Sequence, residues 1–237
     1  LEDRTSEILT RIETLKGEVS SITKLSLPAL DATQVYERAS QATVRISNGE
    51  GVVGSGFIYD NEVHVVTAYH VVESLSEIYV VLPDGRVSRA TTSGSCPYSD
   101  IAILMLDERL DVEPVTLADS AKVKIGEPVA AIGSPFDLEE TITTGIVSQV
   151  NRQAEIDYNA QTRWVSNLIQ FDAAVNYGNS GCPLLNSAGE VIGLVIARNE
   201  PGILGVETFG FLTDKYFGIG TTNRNIGAVS YTHLTLP

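Results

Sequence analysis

An all-β fold, sandwich or barrel, preceded by one amphipathic helix, is what this sequence predicts, and three observations carry the prediction. From about Ala39 onward, short β-branched runs alternate with Gly, Asp and Asn breaks, the pattern of short strands joined by tight turns. "LPDGR" at 82–86 is a hairpin turn, because Gly85 can take a positive φ there. Before Pro28 the pattern is different: Ile8, Ile12, Leu15, Val19 and Ile22 recur at spacings of 4, 3, 4 and 3, which is the a/d seam of a helix.

The helix comes first, within 1–27. Leu1 extends its seam backward, with polar Thr5 at the next seam position, and Glu7, Arg11, Glu13, Lys16 and Glu18 fill the other faces. Such a helix either packs on its own domain or joins subunits as a short coiled coil; the sustained seam favours the coiled coil. Pro28 closes the region, and residues 28–38, with "LPALDA", read as linker. The strand candidates follow in order: "ATVRIS", "GSGFIYD", "HVVTAYHVV", "EIYVVLPDG" and "DIAILML", then "EPVAAIGS", "TITTGIVSQV", "NLIQFDA", "VIGLVIAR" and "YFGIGTT". A boundary between Leu117 and Gly126 divides them into two β units, 39–118 and 119–227, with no evident internal sequence repeat. The last ten residues, "AVSYTHLTLP" at 228–237, fit neither periodicity. They resemble translated adapter sequence and read as a non-native tail, His233 included. The chain opens on Leu rather than Met, so its natural N-terminus, with any signal peptide, is expected upstream.

Bulk chemistry narrows the partners. The 237 residues are 43% hydrophobic, without a run near the roughly 20 apolar residues that span a bilayer. Thirty acidic against sixteen basic residues give a net charge of −14 with no polybasic block, which argues against nucleic acid and anionic membrane surfaces. Two cysteines, Cys96 and Cys182, make neither a disulfide framework nor a metal-ligand spacing, and read as free thiols.

Three places carry chemistry. "TAYHVVES" sets His70 at the end of an apolar strand, entering a short helical turn. "YSDIAILML" sets Asp100 just before a buried strand. "FDAAVNYGNSGCPLL" sets Ser180 in a glycine-rich turn between two apolar runs. Singly, each has an ordinary structural explanation. Together, in the order His, Asp, Ser of the chymotrypsin class, they read as a catalytic triad. A serine hydroxyl needs a base to take its proton. Histidine can take and return it, and a buried aspartate fixes the tautomer and stabilises the imidazolium. Gly178 has no Cβ to obstruct an oxyanion, and its N–H with that of Ser180 can form the oxyanion hole. His64 lies mid-strand with no partner motif and reads as structural.

"GSGFIYD", "VVTAYHVV", "SDIAIL", "GEPVAAIGSPF", "TTGIVSQVNR", "IQFDAAVNYGNSGCPLLNSAGEVIGLVIA" and "FGIG" follow one another over roughly 38–226 as in the HtrA (Deg) family of trypsin-like serine proteases, which this chain resembles. The resemblance implies a chymotrypsin-like double β-barrel of two perpendicular six-stranded barrels, with the triad on His70, Asp100 and Ser180. It implies oligomers, usually trimers, outside the cytoplasm (periplasmic, cell-envelope or secreted), acting on unfolded or damaged proteins without ATP, metal or organic cofactor. Cys182 departs from the pattern, standing where the family usually has a second glycine. No PDZ domain is visible. By the same resemblance the primary pocket has its floor at Ala174 and Val175, the backbone of Ile196 and Ala197 pairs the substrate, and Asp172 is structural. A floor without a carboxylate predicts cleavage after small or medium aliphatic residues. The stretch from Asn199 to Phe211, with Glu200 and Glu207, could reach the pocket rim. A different class remains as an alternative: a non-catalytic holdase or scaffold on a protease fold, binding exposed apolar segments. A third reading makes the coiled coil the main interaction element, with the protease domain as its effector.

Overall fold

The computed structural model describes residues 4, 7–8, 10–17, 29–61, 64–109, 111–134, 140–158, 161–199 and 217–222. Its twelve described strands close into two six-stranded barrels. The first is built from β1 (Thr43–Ser47), β2 (Val52–Ile58), β3 (His64–Ala68), β4 (Ile78–Val81), β5 (Val87–Cys96) and β6 (Ile101–Leu106). The second uses β7 (Pro128–Gly133), β8 (Thr141–Tyr158), β9 (Gln161–Phe171), β10 (Pro183–Leu185), β11 (Val191–Asn199) and β12 (Phe217–Thr222). Around the first barrel the order is β1-β2-β3-β6-β5-β4, and around the second β7-β8-β9-β12-β11-β10. The second order is the first with every number raised by six. The repeat absent from the sequence is therefore present in the topology.

Period-two alternation explains why several strands are apolar on both faces. In β7, Val129 and Ala131 point into the core of the second barrel, while Ala130 and Ile132 join the cluster that fills the first barrel and runs on between the two. Leu185, Val191, Leu194 and Ile196 belong to that shared cluster as well. One continuous apolar layer thus fixes the barrels against each other, and it holds the turns at their junction in place.

Two helical segments precede the barrels. In α1, helical over 10–17, the described seam residues are not covered: Ile8, Ile12 and Leu15 are 59%, 42% and 52% exposed. Val19, Ile22, Glu200, Glu207, His233 and the 228–237 tail lie outside the described residues. The linker expected at 28–38 needs correction, because it contains most of α2 (Ala32–Ala39). Asp31 caps this helix, accepting from the Thr33 and Gln34 N–H groups at 3.0 and 3.2 Å, a cap worth about 1 kcal/mol. Val35 and Ala39 are buried. The Tyr36 hydroxyl donates to Glu140 at 3.2 Å, and Arg38 donates to the Ala188 carbonyl at 2.7 Å. The polar surface of α2 and its short length made it read as linker, and its tertiary contacts make it a helix.

Candidate active site

Strand β3 runs directly into the single turn α3 (Tyr69–Val72), which presents His70 at the barrel rim. Opposite it, Asp100 ends the tight turn before β6. Asp100 sits at φ 54°, a left-handed conformation that Asp tolerates better than most residues and that tends to be kept where function requires it. That backbone is tied down: the Tyr69 N–H donates to the Asp100 carbonyl at 3.1 Å. The side chain is fully buried and accepts twice from His70. The backbone N–H donates to Oδ1 at 2.9 Å, and Nδ1 lies 2.6 Å from Oδ2. An ionised carboxylate can only accept, so Nδ1 carries the proton and Nε2 is left as the basic nitrogen. The His70 ring keeps 19% of its surface in solvent.

The second barrel contributes the turn before β10, and nearly every peptide group in it is pinned. The Asn179 N–H donates to the Asn176 carbonyl at 3.0 Å, and the Cys182 N–H donates to that of Asn179 at 2.9 Å. The Gly181 N–H donates to Val195 at 2.6 Å. The Ser180 carbonyl accepts from the Ser55 N–H at 2.8 Å, and the Gly178 carbonyl accepts from the Ser55 hydroxyl at 2.6 Å. Two amides are left out of this network: the N–H groups of Gly178 and Ser180 donate to no acceptor among the described residues. Both glycines are conformationally required, at φ 96° for Gly178 and 90° for Gly181. Gly181 is also sterically required, since a Cβ there would run into the Ser55 carbonyl and the Thr67 hydroxyl. Gly54 brings the parts together: a Cβ on it would meet Val71, next to His70, on one side and the Ser180 carbonyl on the other.

Cys182, the departure from the family pattern, is fully buried in the second core. It fits because β7 has glycine opposite: a Cβ on Gly133 would lie only 3.1 Å from that of Cys182. Burial pushes its thiol well above the usual range, so it is a small apolar filler and not a nucleophile. Cys96 and Cys182 are both free.

The remaining sequence candidates fall as follows. Ala174 is exposed, and its carbonyl accepts from the Thr143 hydroxyl at 2.8 Å. Val175 and Ile196 are buried, in the second-barrel core and the shared cluster respectively. The backbone of Ala197 pairs with Ile219 on one side of β11. Asp172 accepts from the Ile146 N–H at 2.6 Å, buttressing the β8–β9 sheet. His64 pairs with Asp60 at 2.8 Å, at the far end of β3 from His70. Sequence reading missed Ser55. A serine between two glycines in a strand carries no local signal of contact with a turn 123 residues away.

Two closed barrels with a buried aspartate–histidine pair on one and an amide-presenting serine turn on the other define a trypsin-like peptidase domain. The trypsin-like peptidase domain family matches residues 54–194. "Protease Do-like 1, chloroplastic" of Arabidopsis thaliana is 37% identical over 187 residues, covering 75% of this chain and 42% of its own length. "Periplasmic serine endoprotease DegP" of Escherichia coli K12 is 42% identical over 150 residues, covering 63% and 31%. The crystal structure of the serine endoprotease from Yersinia pestis superimposes with a TM-score of 0.69 at 28% identity, over 86% of this chain and 66% of that one. The HtrA-type protease AlgW with tripeptide does so at 0.72 and 28%, over 86% and 64%. This chain belongs to the HtrA/Deg family of trypsin-like serine proteases. It spans less than half the length of these curated relatives.

Proposed function

We propose that this domain is an ATP-independent serine endopeptidase in which Ser180 is the nucleophile, His70 the base and acid, and Asp100 the group that orients His70. The observation that carries the reading is the double hold of Asp100 on His70, at 2.9 and 2.6 Å, beside a turn in which the Gly178 and Ser180 amides donate to no acceptor among the described residues. His70 Nε2 takes the Ser180 proton as Oγ bonds to the scissile carbonyl carbon. The carbonyl electron pair moves onto oxygen, where the Gly178 and Ser180 N–H groups receive it. Collapse breaks the C–N bond, and the leaving amine takes the proton from Nε2. Water repeats the cycle on the acyl-enzyme, releasing a carboxylic acid and restoring Ser180. Purified protein should hydrolyse unfolded casein, and Ser180→Ala should lose that activity while keeping its fold. Casein cleavage by the variant at the wild-type rate would remove Ser180 from the reaction.

For the substrate we read Ala174 and Val175 as the pocket floor and the Ile196–Ala197 backbone as the strand that pairs an extended peptide. Among the described residues no carboxylate stands at that floor, so a substrate Lys or Arg would be desolvated without a partner. Cuts should follow Val, Ala, Ile or Leu, and sequencing of new termini in a digested, denatured proteome would show it; a preference for Lys or Arg would refute it. The cellular role that fits is removal of unfolded or damaged proteins outside the cytoplasm, by analogy with the relative named periplasmic. Among the described residues no helix is long and apolar enough to cross a membrane. The exposed Ile8, Ile12 and Leu15 suit burial between subunits, with a trimer as the assembly expected from the family.

A further inference from the structure

We infer that Ser55, on the first barrel, is a positioning residue that holds the oxyanion turn of the second barrel in its donating arrangement. The inference rests on the proposed peptidase reading and adds a residue to it. Ser55 lies in β2 and is fully buried. It makes four hydrogen bonds. Its N–H donates to the Ser180 carbonyl at 2.8 Å. Its hydroxyl donates to the Gly178 carbonyl at 2.6 Å and accepts from the Ser134 N–H at 3.3 Å. Its carbonyl accepts from the Thr67 hydroxyl at 2.7 Å. A hydroxyl has one proton to give. With the Ser134 N–H pointing at its oxygen, that proton is committed to Gly178.

The consequence is a matter of peptide planes. The 178–179 plane is fixed at both ends, its carbonyl by Ser55 and its N–H by Asn176. The 180–181 plane is fixed likewise, by Ser55 and by Val195. Between and beside these clamped planes lie the two unpaired N–H groups of Gly178 and Ser180. Glycine at φ 96° has broad freedom to rotate its neighbouring peptides. Without the Ser55 hydroxyl, the Gly178 carbonyl loses its donor among the described contacts, and the 178–179 plane keeps only the Asn179 N–H bond to the Asn176 carbonyl. The bond from the Ser55 N–H is made by backbone and remains available in Ser55→Ala, so the side chain's share can be separated from it.

The test is Ser55→Ala, assayed on a chromogenic peptide and on a peptidyl boronate, which resembles the tetrahedral intermediate. Removing an oxyanion donor costs about 10²–10³ in kcat. Loosening one should cost about tenfold to a hundredfold, with KM within about threefold and boronate affinity falling in step with kcat. Thr43→Val is the control: it deletes another buried hydroxyl bond, to the Ala39 carbonyl at 3.0 Å, remote from the turn. It should lower Tm without the loss in kcat. If Ser55→Ala does not fold, Ser55→Cys retains the side-chain bulk with a weak donor and should show an intermediate loss. A Ser55 variant with wild-type kcat, or kcat losses that follow Tm in both the Ser55 and Thr43 variants, would overturn the inference. An inactive wild type would instead overturn the peptidase reading, and the inference with it.

Discussion

The two barrels share one strand order and lend the site different things. The first supplies side chains: a buried carboxylate and an imidazole held on short, closely tied strand ends. The second supplies the Ser180 hydroxyl and the backbone around it: a turn whose amides are either clamped or left open, with glycines where a side chain would not fit. Charge is thus placed where the fold is tightest, because a buried carboxylate needs several donors at once. The two open amides lie where conformation is most unusual, beside glycines at positive φ. Ser55 is the point at which the first barrel governs the second.

The comparison can be broken most forcefully at its charged half. Asp100→Asn keeps the shape but lets the amide donate to His70 Nδ1, favouring the wrong tautomer. A fall of about 10⁴ in kcat is expected, measured on casein or a peptide, and a loss below tenfold would contradict the charge assignment. The glycine half comes next. Gly181→Ala meets both a positive φ and the Ser55 carbonyl, and should destabilise by roughly 3 kcal/mol or more. Gly85→Ala, in the hairpin turn of the first barrel, shares the positive φ but meets nothing within 4 Å, and should cost only about 1 kcal/mol. Urea midpoints of the two variants would show whether packing or φ alone makes the second-barrel turn exacting.

Each barrel also carries one thiol. Half-buried Cys96 should react with iodoacetamide at pH 8, while Cys182 should stay unmodified in the folded protein. The sign of the accompanying pH effect follows from the raised thiol. The unfolded chain ionises Cys182 above about pH 8.5 while the fold keeps it protonated, so this contribution to stability is complete below that pH and declines above it. Mass spectrometry of the alkylated peptides decides the reactivity. The smallest effect on catalysis is expected outside both barrels. Ile12→Asp with Leu15→Asp should lower the mass seen by light scattering while the isolated domain stays folded. An unchanged mass would place assembly on the barrels.

The strands, and the strand ends and turns that carry His70, Asp100 and Ser180, were legible because their signals are local. Asp100 and Ser180 sit at Asp- or Gly-marked breaks beside apolar runs, and His70 follows the end of the apolar run that forms β3. What was not legible depends on distant partners. The repeated strand order arises from long-range closure, such as β4 on β1 and β10 on β7, which leaves no internal sequence repeat. The β8–β9 hairpin runs through "RQAEIDYNAQTRW" to Tyr158 and back from Gln161, where no apolar run announced strands and cross-strand pairing alone extends them. Helix α2 formed because Asp31 caps it and the second barrel receives Tyr36 and Arg38. Ser55 stayed hidden for the same reason: its meaning lies in Gly178 and Ser180.

The most direct test of the account is labelling with a fluorophosphonate, which traps a serine only if a base activates it and amides receive the developing charge. The folded wild-type protein should gain a single adduct, mapped by mass spectrometry to Ser180, slowly in Asp100→Asn and not at all in Ser180→Ala. Absence of an adduct with and without unfolded substrate, or an adduct on another residue that persists in Ser180→Ala, would contradict a site assembled from the charge pair of one barrel and the open amides of the other.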